Sequence, residues 1–230
     1  MKTKEFPVDD KTVSVYPAQN VEAPMVCCCE FSDSGEAILA ACRDFACPPF
    51  HLVTVRVPNW DRDLSPWPLN TAPFQAGAGK APLTMRLLDE TIIPRAEAAL
   101  QTENPLRILC GYSMAGLFAA SAPFLSERFH ALVCASAILW YPGFPEYFTS
   151  HFFLKRPVAA YFSLGDAESP VHGEYFEAVT RKIREECEKR GVLTLYESTH
   201  GDHFDDPCRR LAKGIRWTLD RFTDENTDNP

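Results

Sequence analysis

The chain has 230 residues, 46% hydrophobic and 23% charged, a composition that suits a folded globular domain and argues against disorder. Its net charge of −8, with no Lys/Arg cluster, argues against nucleic acid as a partner. No run approaches the ~20 apolar residues of a membrane span, and the start, Met1-Lys2-Thr3-Lys4-Glu5-Phe6-Pro7, has no apolar core of signal-peptide length.

In chain order, residues 1–11 read as a frayed tail. Residues 12–16 (T-V-S-V-Y) alternate and predict an edge strand. Residues 24–31 (P-M-V-C-C-C-E-F) form a continuous apolar run, the pattern of a strand covered on both faces. Ile38, Leu39, Cys42 and Phe45 have helical spacing, and 51–57 (H-L-V-T-V-R-V) predicts the next strand, with His51 structural. Residues 58–79, rich in Pro, Gly, Trp and Asp, predict a long functional loop. Leu83, Leu87, Leu88, Ile92 and Ile93 predict a helix over 82–100 that Pro94 must kink or split.

Residues 106–112 predict a buried strand, followed by a helix to about 125; 131–137 and 157–164 predict two more strands. The aromatic, Pro-interrupted segment 138–154, with Trp140 to Phe148 at its centre, reads as a pocket wall or a homodimer surface. A charged amphipathic helix over 175–190, a strand over 192–198 and a helix over 207–222 complete the pattern, and 223–230 reads as a second frayed tail. Strands alternating with helices predict one α/β domain over 1–230: a mostly parallel central sheet with helices on both faces.

The 9 cysteines form no C-x-x-C pair. Adjacent strand residues point to opposite faces, so Cys27-Cys28-Cys29 cannot converge on one metal. They read as buried thiols of a reduced, cytoplasmic protein that needs no metal and no other cofactor.

Residues 110–117 read Cys-Gly-Tyr-Ser-Met-Ala-Gly-Leu. A strand that turns at once into a helix holds its turn residue in strained geometry. Small neighbours, here Gly111, Ala115 and Gly116, relieve the crowding. The result is an exposed Ser113 hydroxyl beside a helix N-terminus, where free N–H groups stabilise an oxyanion. Such a serine needs a histidine base and a carboxylate to orient it, in the chain order Ser, acid, His. The base is expected after the last strand, where His203 and His200 compete, with His203 favoured because it follows Gly201-Asp202 and precedes Phe204 and a helix start. The acid is expected after the strand over 157–164, where Asp166 and Glu168 are both in range. Oxyanion and substrate contacts are expected from Met114, from the Asn59–Trp60 region and from Tyr112. Trp60 and Trp67 are read as pocket lining, and Arg62 as solvated or salt-bridged, with receipt of a substrate carboxylate as the other reading.

D-L-S-P-W-P (63–68), I-I-P (92–94), G-Y-S-M-A-G-L (111–117), F-S-L-G-D-A-E-S (162–169) and G-D-H-F-D-D-P (201–207) together resemble the esterase branch of the α/β-hydrolase superfamily, which holds esterase D-like, feruloyl-esterase-like and enterochelin (siderophore) esterase-like proteins. The resemblance runs from about residue 24 to 222. It implies the α/β-hydrolase fold, cofactor-free hydrolysis of a small-molecule ester through an acyl-enzyme, and, by its G-x-x-E spacing, Glu168 above Asp166 as the acid. An acyltransferase, a peptidase or a non-catalytic ligand-binding protein on the same scaffold are the other readings these residues allow.

Overall fold

In the computed structural model, which describes residues 4–69, 79–103, 105–168 and 171–224, eight strands pair into one sheet. They are β1 (Lys4–Val8), β2 (Lys11–Tyr16), β3 (Met25–Glu30), β4 (His51–Arg56), β5 (Arg107–Tyr112), β6 (Ala131–Ala135), β7 (Ala159–Gly165) and β8 (Leu193–Thr199). Their spatial order is β1-β2-β4-β3-β5-β6-β7-β8, with β1/β2 and β2/β4 antiparallel and every other pair parallel. The continuous apolar run of β3 lies between β4 and β5, with Cys28 opposite Thr54 on one side and Cys110 on the other. Cys27 and Cys29 pack into the core on one face of the sheet and Cys28 into the core on the other.

Between the strands run α1 (Gly35–Asp44), α2 (Trp60–Leu64), α3 (Ala81–Leu87), α4 (Ile93–Leu100), α5 (Met114–Leu125), α6 (Phe144–Ser150), α7 (Gly173–Lys189) and α8 (Pro207–Asp224). Ile38 and Cys42 of α1 share a core with Leu211, Ile215 and Leu219 of α8. Helices α2 to α7 contribute to the core on the opposite face. The helix expected over 82–100 is divided, as Pro94 requires: a π turn, Leu88–Ile92, joins α3 to α4 and absorbs the bond that a proline nitrogen cannot make.

Two expectations are corrected. Residues 4–8 are a strand rather than part of a frayed tail, so β2 is second in the sheet and not its edge. β1 pairs along its whole length with β2, buries Val8, and carries Pro7, a residue that an edge strand tolerates because one side of it needs no ladder donor. The loop over 58–79 contains the short helix α2, whose Asp63 and Leu64 are buried; its residues 70–78 lie outside the described segments, as do 225–230 of the second tail. In the aromatic stretch 140–148, Tyr141, Phe144 and Phe148 are interior, no more than 1% exposed, while Trp140 and Tyr147 are half-buried and Tyr147 lines a small cavity with Trp67. Gly143, at φ 83°, turns the chain back so that the buried rings pack inward, and Trp140 stacks on Phe176 of α7 at 3.6 Å between ring centres.

The chain winds from β3 outward to β4, then returns past β3 to β5. In open α/β sheets ligands bind beside such a reversal, at the carboxyl ends of the strands. The segments after β5, β7 and β8 all end on this side.

Candidate active site

Ser113 stands between β5 and α5 with φ 59° and ψ −122°, a backbone conformation that costs a non-glycine residue on the order of 1–3 kcal/mol. Neighbouring contacts hold it there. Its N–H donates to the Ala135 carbonyl of β6 at 3.1 Å, and its carbonyl accepts the Leu117 N–H, the first bond of α5, at 3.1 Å. A Cβ on Gly111 would strike the carbonyl of Ala115, and one on Gly116 would come within 2.6 Å of the Ala137 side chain. The small residues of the motif are therefore required by strand–helix contact.

The acid segment follows β7. Asp166 N–H donates to Thr199 O at 2.7 Å, Ala167 N–H to Gly201 O at 3.1 Å, and Glu168 N–H closes back on Gly165 O at 3.2 Å. The base segment follows β8 and turns tightly on its own side chains: Asp202 Oδ1 accepts the Phe204 N–H and Asp205 Oδ2 accepts the Asp202 N–H, both at 2.7 Å. Acid and base segments are thus laced together before any side chain of the site is considered.

On this frame His203 Nε2 lies 3.0 Å from Ser113 Oγ, and His203 Nδ1 lies 3.2 Å from Glu168 Oε2. With the ring proton on Nδ1, donated to Glu168, Nε2 is left to accept the Ser113 hydroxyl proton. The Glu168 side chain is 2% exposed and His203 23%. Burial pushes the Glu168 pKa up, but the His203 hydrogen bond and the charges of His203 and Arg210 outweigh it, so the net shift is downward and the carboxylate stays ionised.

Asp166 serves another partner. Its Oδ1 accepts the Gly201 N–H at 2.8 Å and its Oδ2 lies 3.2 Å from His200 Nδ1, on a side chain 98% exposed. The Gly201 N–H, then His200, draws the Asp166 pKa down. Of the two histidines and two carboxylates the sequence left in competition, His203 and Glu168 converge on Ser113, while His200 and Asp166 pair in solvent.

Met114 opens α5, and its N–H precedes the first bond of that helix. Asn59 and Trp60 open α2, whose first helical bond is Asp63 N–H to Asn59 O at 2.9 Å. The Asn59 side chain donates to Asp10 at 3.2 Å and the Trp60 ring meets Phe31 edge-on at 6.0 Å, so these side chains are held in place and their backbone N–H groups are the candidates for oxyanion contact. Tyr112 ends β5 immediately before Ser113. Its hydroxyl donates to the His203 carbonyl at 2.8 Å and accepts from Arg210 at 3.0 Å, so it braces the base loop. Trp67 lines a small cavity with Leu125 and Tyr147; its indole N–H donates to Pro142 O at 3.0 Å, and its carbonyl accepts the Tyr141 hydroxyl at 2.6 Å. Of the readings of Arg62, the salt-bridged one holds: it pairs with Asp63 and Asp10. His51 is buried and accepts the Ala18 N–H on Nδ1 at 3.0 Å, and burial lowers its pKa.

Sequence reasoning missed Arg210 of α8 and Ser136 of the turn after β6, both buried beside the acid and base segments. The available signal was a cation in the first turn of the last helix, where the helix dipole disfavours one. No cluster of three or more His, Cys, Asp or Glu among the described residues could hold a metal, and no helix there is long and apolar enough to cross a membrane.

No family model and no curated protein matches the sequence. Solved structures do match the fold. An IroE-like serine hydrolase from Shewanella oneidensis superimposes with a TM-score of 0.79 at 19% identity, over 96% of this chain and 80% of that one. The siderophore hydrolase EstB from Aspergillus nidulans gives 0.68 at 17%, over 93% of each chain. The enterobactin esterase FES from Shigella flexneri gives 0.74 at 14%, over 97% of this chain and 60% of that one. At these identities the likeness is one of architecture: the protein has the α/β-hydrolase fold, and its structural neighbours are serine hydrolases and esterases.

Proposed function

We propose that the protein hydrolyses carboxylic esters through a Ser113–His203–Glu168 triad. The observation that carries this reading is the continuous chain of contacts, 3.0 Å from Ser113 Oγ to His203 Nε2 and 3.2 Å from His203 Nδ1 to Glu168, beside a strained strand-to-helix turn. Ser113 Oγ attacks the ester carbonyl while His203 removes its proton. The C–O bond to the alcohol then breaks, and His203 returns that proton to the leaving alkoxide. Glu168, ionised and buried, stabilises the imidazolium between these steps. Backbone N–H groups of Met114 and of the Asn59–Trp60 region receive the negative charge that develops on the carbonyl oxygen. Water, activated by His203 in the second half, cleaves the acyl-serine to a carboxylic acid and regenerates the enzyme. No step calls for a metal or an organic cofactor.

The neighbours named for siderophore esters make aryl and siderophore esters sensible members of a substrate panel, beside p-nitrophenyl esters graded by acyl length. The test is reaction with a fluorophosphonate. Wild-type protein is expected to gain one adduct, on Ser113, and to lose its ester hydrolysis in step. Ser113→Ala, correctly folded, is expected to lose on the order of 10⁴-fold or more in kcat. A wild-type protein that forms no adduct and cleaves no ester in the panel overturns the reading.

A further inference from the structure

Arg210 is a buried charge that the catalytic cycle above does not use. Its side chain is 3% exposed on the first turn of α8, next to an equally buried Glu168. A guanidinium in that position faces two penalties: removal from water, and the positive end of a helix dipole. A site that accepts both must satisfy the guanidinium closely, and this one gives partners to both terminal nitrogens, leaving only Nε buried without a hydrogen bond. Arg210 Nη1 donates to Ser136 Oγ at 2.8 Å and to Tyr112 Oη at 3.0 Å. Nη2 donates to the carbonyls of Asp202 at 2.6 Å and His200 at 3.2 Å. Glu168 Oε2, the atom that faces His203, lies 3.8 Å from Nη1.

These partners belong to separate segments. Tyr112 precedes the nucleophile, Ser136 follows β6, Glu168 is the acid, and His200 and Asp202 lie in the base loop on the N-terminal side of His203. The loop is also held on the base itself, because the Tyr112 hydroxyl that accepts from Arg210 donates to His203 O at 2.8 Å. Room for the fork comes from Gly165, where a Cβ would sit 2.9 Å from Nη2 and 3.0 Å from Nη1. One planar, multiply donating cation thus touches every segment that must be in register for Ser113 to meet its base.

We propose that Arg210 is the positioning residue of this site: its guanidinium fixes the His203 loop against the nucleophile strand and supplies the buried counter-charge to Glu168, without touching substrate. The inference rests on the triad reading, and the wild-type fluorophosphonate reaction tests that reading separately; absence of an adduct in wild type removes both. Positioning errors of about 1 Å are worth up to about 100-fold in rate. Arg210→Ala is therefore expected to lower kcat and the rate of Ser113 phosphonylation by about 100-fold, with KM changed by no more than about twofold. Added guanidinium ion, at a concentration too low to denature, is expected to restore much of kcat. Arg210→Lys keeps the charge but offers a single donor point, and is expected to fall between wild type and Arg210→Ala. A folded Arg210→Ala protein with wild-type kcat overturns the proposal, as does one whose kcat loss guanidinium leaves untouched. Should Arg210→Ala fail to fold, Tyr112→Phe cuts the link from the guanidinium to the His203 carbonyl while keeping the ring. An about tenfold fall in kcat at constant KM supports the proposal; an unchanged kcat overturns it.

Discussion

Asp166 and Glu168 leave the same turn after β7, yet each carboxylate holds a different histidine: Asp166 pairs with His200 in solvent, and Glu168 pairs with His203 in the interior. The two pairs look alike in chemistry and differ in burial. The Glu168 side chain is 2% exposed and that of Asp166 53%. Exposed pairs contribute little, whereas a buried carboxylate that fixes an imidazole tautomer contributes heavily to catalysis.

Glu168→Gln and Asp166→Asn should therefore separate sharply. Glu168→Gln is expected to reduce kcat by about 10³–10⁴-fold with little change in fold. Asp166→Asn, whose amide oxygen can still accept the Gly201 N–H, is expected to stay within about threefold of wild type. Steady-state kinetics on one p-nitrophenyl ester decides the matter; equal losses in the two variants contradict the assignment of the acid.

The serine turn is predicted to reject even one added carbon. In Gly111→Ala the new methyl meets the Ala115 carbonyl, which belongs to the first turn of α5 and cannot rotate away as a side chain would. A destabilisation of about 1–3 kcal/mol is expected in urea titration. Activity should fall further than stability does, because the displaced backbone carries both Ser113 and the Met114 N–H. Retention of wild-type kcat in Gly111→Ala would mean that the turn is looser than these contacts require.

Acid should weaken the fold partly through His130. Burial, with the nearby charges of Lys155 and Arg107, pushes its pKa down from 6.5 to about 4, and its Nδ1 accepts the Arg107 N–H at 3.0 Å. Between those two values the unfolded chain takes up a proton that the native form refuses. The unfolded state then binds more protons, so native stability falls as pH is lowered through this window. His130→Asn retains an acceptor but does not titrate. Its stability, read from denaturant midpoints at neutral pH and midway through the window, is expected to change less with pH than that of wild type.

Asp63 links the second strand to the helix that carries Trp60. Its carboxylate bridges Lys11 Nζ at 2.9 Å and Arg62 Nε at 2.7 Å, with Asp63 and Lys11 both almost wholly buried. Burial raises the Asp63 pKa, but its Arg62 and Lys11 partners outweigh this and hold it below the ordinary value. Asp63→Ala leaves the buried Lys11 ammonium with Asp10 alone, 2.8 Å away and half-exposed, so the destabilisation is expected to fall below the about 3–5 kcal/mol that removing the sole partner of a buried charge costs. Thermal and urea unfolding of the variant measure this directly. Because α2 also positions the Asn59–Trp60 backbone, kcat is expected to fall as well.

Local requirements were legible in the sequence. The alternation of strand and helix periods, the division of the helix at Pro94, the uninterrupted apolar run of β3 and the Gly-x-Ser-x-Ala-Gly turn all follow from contacts within a few residues, and the chain writes those in order. Ser113 could be named because its constraints are its own neighbours. His203 could be favoured over His200 for the same reason. The strand at 4–8 was missed because its pairing with β2 is a tertiary fact and its own residues, Pro7 among them, carry no period. The inward turn of the aromatic segment at Gly143 was hidden in the same way. The choice of Glu168 over Asp166 came from the family resemblance and not from the residues themselves, and only the folded chain decided that Tyr112 braces the base loop and that Arg210 joins them. Those choices are made across tens of residues of separation, by burial and by the geometry of hydrogen bonds between loops that meet only when the sheet brings the ends of β5, β6, β7 and β8 to one edge. No periodicity along the chain records a distance across the sheet.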